Sequence, residues 1–264
     1  MDSNERERRR QRRYREAMRN RGIAAVVLVI LIVGVIFIVK GCKKEDTLPA
    51  DDQQQQQEQT PGTPEDVTPE TPVNVDDELL TVVNPWNPLP EDWVSDLVTL
   101  SDGRRVDSRC YEAFEEMMDA CRDAGYAPFL CSAYRTQETQ QSLYDNKVQR
   151  LINSGMSEDE AKVEAAKAVA IPGTSEHQLG LAVDIVDANM QDLTDEQENT
   201  ETQKWLMANS WRYGFIHRYP NDKTDITGII YEPWHYRYVG KAAAQDIFNR
   251  DITLEEYTGK TNQS

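Results

Sequence analysis

The chain has three histidines, and two of them stand beside carboxylates at spacings that suit a metal centre. In Ser175-Glu176-His177-Gln178-Leu179-Gly180-Leu181-Ala182-Val183-Asp184 a histidine precedes an aspartate by seven residues. In Glu232-Pro233-Trp234-His235 a carboxylate precedes the second histidine by three. A catalytic zinc takes three nitrogen or oxygen ligands from the protein and leaves a fourth position to water. The metal lowers the pKa of that water to about 7 and polarises a scissile carbonyl. Peptide hydrolysis also needs a carboxylate off the metal, to take the proton and pass it to the leaving amine. His177, Asp184 and His235 supply two nitrogens and an oxygen, and Glu232 is the spare carboxylate. Such clusters also arise by chance, so spacing alone leaves a merely structural role open.

These residues must be brought together by elements that the sequence partly reveals. Leu181 to Val186 alternates as a strand, with Leu181, Val183 and Ile185 on one face and Ala182, Asp184 and Val186 on the other. Seven residues would put His177 and Asp184 on opposite faces of a straight strand, and Gly180 allows the bend that turns both into one cleft. Pro233 argues against a continuous helix, so Glu232 and His235 belong to a strand edge or turn rather than to a helical H-E-x-x-H.

Upstream, Asp107 reads as the N-cap of a helix whose apolar face is Cys110, Ala113, Phe114, Met117, Met118 and Cys121, with Gly125 as its stop. A short strand is expected over Ala127–Ser132, and a helix from Thr136 to about Asn153. Ser157 and Glu160 form a capping box for another, ending before Pro172-Gly173. Downstream, a helix is expected over Thr202–Tyr213, strands over Phe215–Tyr219, Gly228–Tyr231 and Tyr236–Val239, and a closing helix over Lys241–Arg250. Helices followed mostly by strands make an α+β fold, with helices packed on a central antiparallel sheet that carries the zinc site.

The rest of the chain reads as a tether. Residues 1–44 carry twelve Lys/Arg against four acids, a net of +8, so the remainder holds −25 of the overall −17. Ile23 to Val39 is unbroken Ile, Val, Leu, Ala and Phe apart from one Gly, and flanking Gly22 and Lys40 lengthen it towards a bilayer span. Nine arginines from Arg6 to Arg21 precede it, which by the positive-inside bias puts that end in the cytoplasm. We therefore expect a basic cytoplasmic segment at 1–22, a single transmembrane helix at 23–40 and everything beyond it outside the cell. A cleaved signal peptide is disfavoured by the long apolar core, and lipidation at Cys42 by Lys40 in the preceding box. Residues 41–77 are rich in Gln, Pro, Thr, Asp and Glu and read as a disordered linker. Its reach is about 30 Å as a coil and about 100 Å if stretched. The folded part is expected at 78–264. A basic head on a strongly acidic body argues against nucleic acid as partner for the body, because binding to phosphates needs clustered cations.

Cys110 and Cys121 lie eleven residues apart on one helix, about 16 Å, too far for a disulfide. A Cys121–Cys131 bridge is feasible. Buried free thiols are the favoured alternative.

The stretches Ser-Glu-His-Gln-Leu-Gly-Leu-Ala-Val-Asp-Ile from Ser175 and Tyr-Glu-Pro-Trp-His-Tyr-Arg-Tyr-Val-Gly from Tyr231 closely resemble the VanY-type D-alanyl-D-alanine carboxypeptidases, zinc peptidases that trim bacterial cell-wall peptides. Ser132-Ala133-Tyr134-Arg135 resembles that family's Ser-x-Tyr-Arg element, and Gly214 to Pro220 the segment before its last motif. The resemblance covers Leu79 to Arg250. It implies Zn2+ on His177, Asp184 and His235, Glu232 as general base, and Arg135 facing the scissile carbonyl, where a fixed guanidinium stabilises the oxyanion. It further implies that Ser132, Tyr134, Gln140 and Ser175 line the substrate pocket, and that the substrate is a peptidoglycan stem peptide losing its terminal D-Ala. His217 departs from the apolar residue usual in that segment and is expected to be structural.

The same family pattern covers L,D-carboxypeptidases and D,D-dipeptidases, whose choice of substrate lies in loops; Asn146–Ala170, before the first metal motif, is the segment to which we assign it. A wall-binding module that keeps the metal only as structure is a rival of another class. The retained Glu232 argues against it.

Overall fold

A computed structural model describes residues 77–261. The basic segment, the apolar run at 23–40 and nearly all of the linker lie outside the described residues. Within them no helix is long and apolar enough to cross a membrane.

The described chain is α+β. A two-stranded hairpin, β1 (Leu97–Thr99) and β2 (Arg105–Asp107), leads into α1 (Ser108–Asp123). Strand β3 (Pro128–Ser132) follows, then the helices α2 (Gln137–Asn153) and α3 (Glu158–Ala168). A 3₁₀ turn over Glu176–Leu179 precedes β4 (Ala182–Asp187). Helix α4 (Glu201–Asn209) runs through a 3₁₀ turn into β5 (Phe215–His217); the short α5 (Thr224–Thr227), β6 (His235–Tyr238), α6 (Lys241–Arg250) and α7 (Leu254–Thr258) complete the order. The main sheet is antiparallel throughout, in the order β3-β4-β6-β5.

Helix α1 forms for the reasons its sequence carries. The Asp107 side chain accepts from the Arg109 N–H at its start, and the buried face is Cys110, Ala113, Phe114, Met117, Met118 and Cys121, as expected. That stripe packs with Leu130, Val183, Ile185 and Tyr236 of the sheet in the main core. Truncating a fully packed side chain such as Phe114 to Ala would cost about 3–5 kcal/mol. Because side chains alternate along a strand, burying Val183 and Ile185 in that core turns Asp184 to the other face. Likewise Tyr236 enters the core while His235 and Arg237 flank it on the opposite side. A second cluster, Ile216, Val239, Ala244, Ile247 and Leu254 among others, holds α6 and α7. Helices α2 and α3 pack on each other through Val148, Ala161 and Ala165, and the Ser157–Glu160 capping box is formed.

The expected strand over Gly228–Tyr231 is not formed. Gly228, at φ +79°, instead caps α5, and a Cβ there would lie 2.8 Å from the Pro85 ring. The Ile230 N–H then donates to the Lys167 carbonyl at the end of α3 rather than to a sheet neighbour. Cys110, Cys121 and Cys131 are all free thiols, so the feasible Cys121–Cys131 bridge is absent.

Candidate active site

Three strands place one residue each in a single row. Ser132 of β3 pairs with Asp184 of β4, which pairs with His235 of β6. The fourth member arrives by the bend: His177 sits in the 3₁₀ turn that Gly180 terminates at φ +79°. A Cβ on Gly180 would lie 3.2 Å from the Asp107 nitrogen, so both the turn and the close approach to β2 favour glycine.

His177 Nε2 stands 3.2 Å from Asp184 Oδ2, and His235 Nδ1 stands 3.1 Å from Asp184 Oδ1. The two imidazoles meet edge to face, centroids 4.9 Å apart. One ligand atom from each of His177, Asp184 and His235 lies within 4.8 Å of the others, and all three residues are buried. Glu232, 8% exposed, brings Oε2 to 3.6 Å from His235 Nδ1. The second nitrogen of each imidazole is occupied elsewhere. His177 Nδ1 is 2.8 Å from the Ala133 carbonyl, which selects the tautomer with a free Nε2. His235 Nε2 faces Glu176 Oε2 at 3.5 Å, and neither of these buried atoms has another partner.

This donor set fits zinc. Two imidazoles and a carboxylate converge from rigid elements, and both histidines have a group behind them to fix the ring, the usual support for a metal ligand. Electrostatics agree. Burial, reinforced by the Arg135 charge, lowers the His177 pKa to about 4, so it is neutral and able to coordinate. Burial also opposes charge on His235, but its bonds to Asp184 and Glu176 outweigh this and raise it to about 9. Burial raises the Asp184 carboxyl too, yet its histidine and Arg135 neighbours hold it well below the ordinary range. Burial lifts Glu232 to about 8, with the His235 charge opposing and Asp184 adding to the rise.

Arg135 lines the same cleft and is gripped on three sides. Its Nη2 donates to Asp184 Oδ2 at 2.6 Å, its Nε to Ser132 Oγ at 2.8 Å, and its Nη1 to Gln140 Oε1 at 3.4 Å. Gln140 is itself anchored by donating to the Ala170 carbonyl at 2.7 Å. Ser132 and Gln140 thus hold the arginine rather than line the cleft, whereas Ser175 is in the lining. Tyr134 lines a neighbouring depression with Trp93 and Gln178, which shares Arg135 with the cleft, and lies under the Arg105 guanidinium at 5.0 Å. His217, which the sequence assigns a structural role, has Nε2 3.2 Å from the Glu232 carbonyl and packs against Tyr231 and Tyr236.

A buried ionic chain behind the metal group escaped the sequence reading. Glu176 Oε1 accepts from Arg218 Nε and from Arg237 Nη1, each at 2.8 Å. Arg218 also makes a two-pronged pair with Glu255 of α7, which accepts in addition from Asn84. Arg237 donates to the carbonyls of Leu79 and Thr81. The four charged side chains are fully buried and balance in sign. Removing one of them would leave an uncompensated charge.

The cleft occupies about 380 Å³ and opens past the metal group between α2, the end of α3 and the loops bearing Leu193 and Ile230. Residues 103–241 match the family model described as VanY: D-alanyl-D-alanine carboxypeptidase. A D-alanyl-D-alanine carboxypeptidase of Enterococcus faecalis is 47% identical over 178 residues, 67% of this chain and 65% of that protein, so this chain spans slightly under two thirds of that relative. A zinc complex of the vancomycin-resistance D,D-pentapeptidase VanY superposes with a TM-score of 0.62 at 46% identity, covering 67% of this chain and 97% of the other. The LdcB LD-carboxypeptidase superposes at 0.60 with 39% identity, covering 69% and 86%. With the metal group, its spare carboxylate and the cleft arginine all inside the matched stretch, the chain belongs to the VanY family of D-alanyl-D-alanine carboxypeptidases.

Proposed function

We propose that the chain is a zinc-dependent D,D-carboxypeptidase that removes the terminal D-Ala from peptidoglycan stem peptides at the outer face of a membrane. The observation that carries this reading is the buried His177–Asp184–His235 group with Glu232 beside it at the floor of an open cleft. A zinc ion on those three residues supplies Lewis acidity to the scissile carbonyl and to an attacking water. Glu232 takes the proton from that water and delivers it to the departing D-Ala amine. Arg135, held rigid by Ser132, Gln140 and Asp184, stabilises the negative charge that grows on the carbonyl oxygen. The membrane term draws support from the sequence: the arginine-rich start, the apolar run at 23–40 and the linker to residue 77 tether the domain outside.

The test is to incubate the full chain with penta- and tetrapeptide stems, with and without a chelator, and identify the released amino acid. Chelator-sensitive release of D-Ala from the pentapeptide is expected. Release only from the tetrapeptide would make the chain an L,D-carboxypeptidase, as in the LdcB relative, and hydrolysis of added free D-Ala-D-Ala but of neither stem would make it a D,D-dipeptidase. No release from a zinc-loaded chain would leave a binding module.

A further inference from the structure

Helix α2 presents one face to the catalytic cleft. Gln140, Leu143, Lys147 and Arg150 recur on one side of it at helical spacing, and the last three line the cleft with His177 and Asp184. Gln140 touches Arg135, so this face is a ruler that starts at the reacting centre. At 1.5 Å per residue, Lys147 stands about 10 Å and Arg150 about 15 Å along the axis from Gln140.

Neither cation is neutralised. Among the described residues, no carboxylate forms an ion pair with Lys147 or Arg150, and neither side chain makes a hydrogen bond. The two lysines of the neighbouring α3 contrast with them: Lys162 pairs with Glu158 at 2.6 Å and Lys167 with Glu164 at 2.8 Å. Asp145, on α2 itself, is bonded to Gln141 instead. Asp195 shares the cleft lining but is not paired with either cation. In a chain of net charge −17, two unpaired cations along one wall of a cleft form a local site for an anion.

We infer that Lys147 and Arg150 form an anion subsite for a carboxylate of the peptide, two to four residues before the bond that is cut. The inference rests on the carboxypeptidase reading and extends it to the body of the substrate. An extended peptide advances about 3.3–3.6 Å per residue, so an offset of about 10–15 Å, shortened by the reach of the two long side chains, falls in that window. Stem peptides place two carboxylates there: the α-carboxylate of the γ-linked glutamate, and the side-chain carboxylate of a diamino diacid when that is the third residue. Amidation removes either charge and is the natural discriminator. The exposed Leu143, Leu193 and Ile230 offer apolar contact to the stretch between.

The experiment uses the zinc-loaded full chain and four pentapeptides, with lysine or diaminopimelate third and with the glutamate α-carboxylate free or amidated. A further peptide amidated on the diaminopimelate side chain separates the two sources. The wild type is expected to prefer the free carboxylate by about five- to tenfold, through KM rather than kcat, as fits a charge pair at a partly exposed site. Raising the salt concentration should erase the preference without any substitution. The charge-reversed Lys147→Glu/Arg150→Glu variant should prefer the amide. Equal KM for free and amidated peptides in the wild type, or a preference kept by the reversed variant, overturns the subsite and leaves the carboxypeptidase reading standing. No D-Ala release from any of the five peptides with zinc bound overturns both.

Discussion

His235 Nε2 and Glu176 Oε2 face each other at 3.5 Å inside the protein, each without another partner. Glu176 thereby links a member of the candidate metal group to Arg218 and Arg237. Removing such outer support commonly lowers metal affinity about 10–100-fold. We predict a loss of that size for Glu176→Gln, read by competition with a chromophoric chelator. Zinc affinity equal to that of the wild type would sink the positioning role.

Glu232→Gln is expected to keep stoichiometric zinc while D-Ala release falls about 10²–10⁴-fold, the usual share of a general base. Metal analysis and steady-state release on the same sample check both halves. A variant that keeps full rate assigns the proton transfer elsewhere.

Glu255 of α7 lies far in sequence from the metal group yet carries half of the two-pronged pair with fully buried Arg218. Truncation to Ala leaves Glu176 as the one carboxylate facing two buried guanidinium groups, and breaking a buried pair from one side costs about 3–5 kcal/mol. Urea unfolding should show the drop. A loss below about 1 kcal/mol, the range of exposed pairs, would mean that water reaches the site.

Burial pushes the Cys110 and Cys121 thiols up to about 12, so neither is a thiolate at neutral pH. Alkylation of the native chain at pH 8 should therefore spare both until denaturant is added, with Cys131, half-buried, reacting ahead of them. Peptide mapping by mass spectrometry gives the order. Rapid native labelling of Cys110 would contradict the packing of α1.

The sequence carried much of this site because its signals are local. The Asp107 cap, the apolar stripe from Cys110 to Cys121 and the span of α6 follow from periods and caps a few residues long. The bend at Gly180 was legible for the same reason. The ionic chain was not: Glu176 meets Arg218 and Arg237 from 42 and 61 positions away, and each alone reads as an ordinary surface charge. The hairpin of β1 and β2 went unseen because three-residue strands are too short to show alternation. Gly228–Tyr231 misled in the opposite sense, since two isoleucines beside a tyrosine carry strand propensity while a left-handed glycine ends a helix there.

The row formed by Ser132, Asp184 and His235 also bears on how the chain matures. Side chains alternate along a strand, so a slip of β4 by one residue would swing Asp184 into the core and bring a neighbouring apolar side chain to the metal position. Such a slip would therefore fail to capture zinc, and metal uptake during refolding reports that β4 and β6 have docked in their native alignment beside the His177 turn.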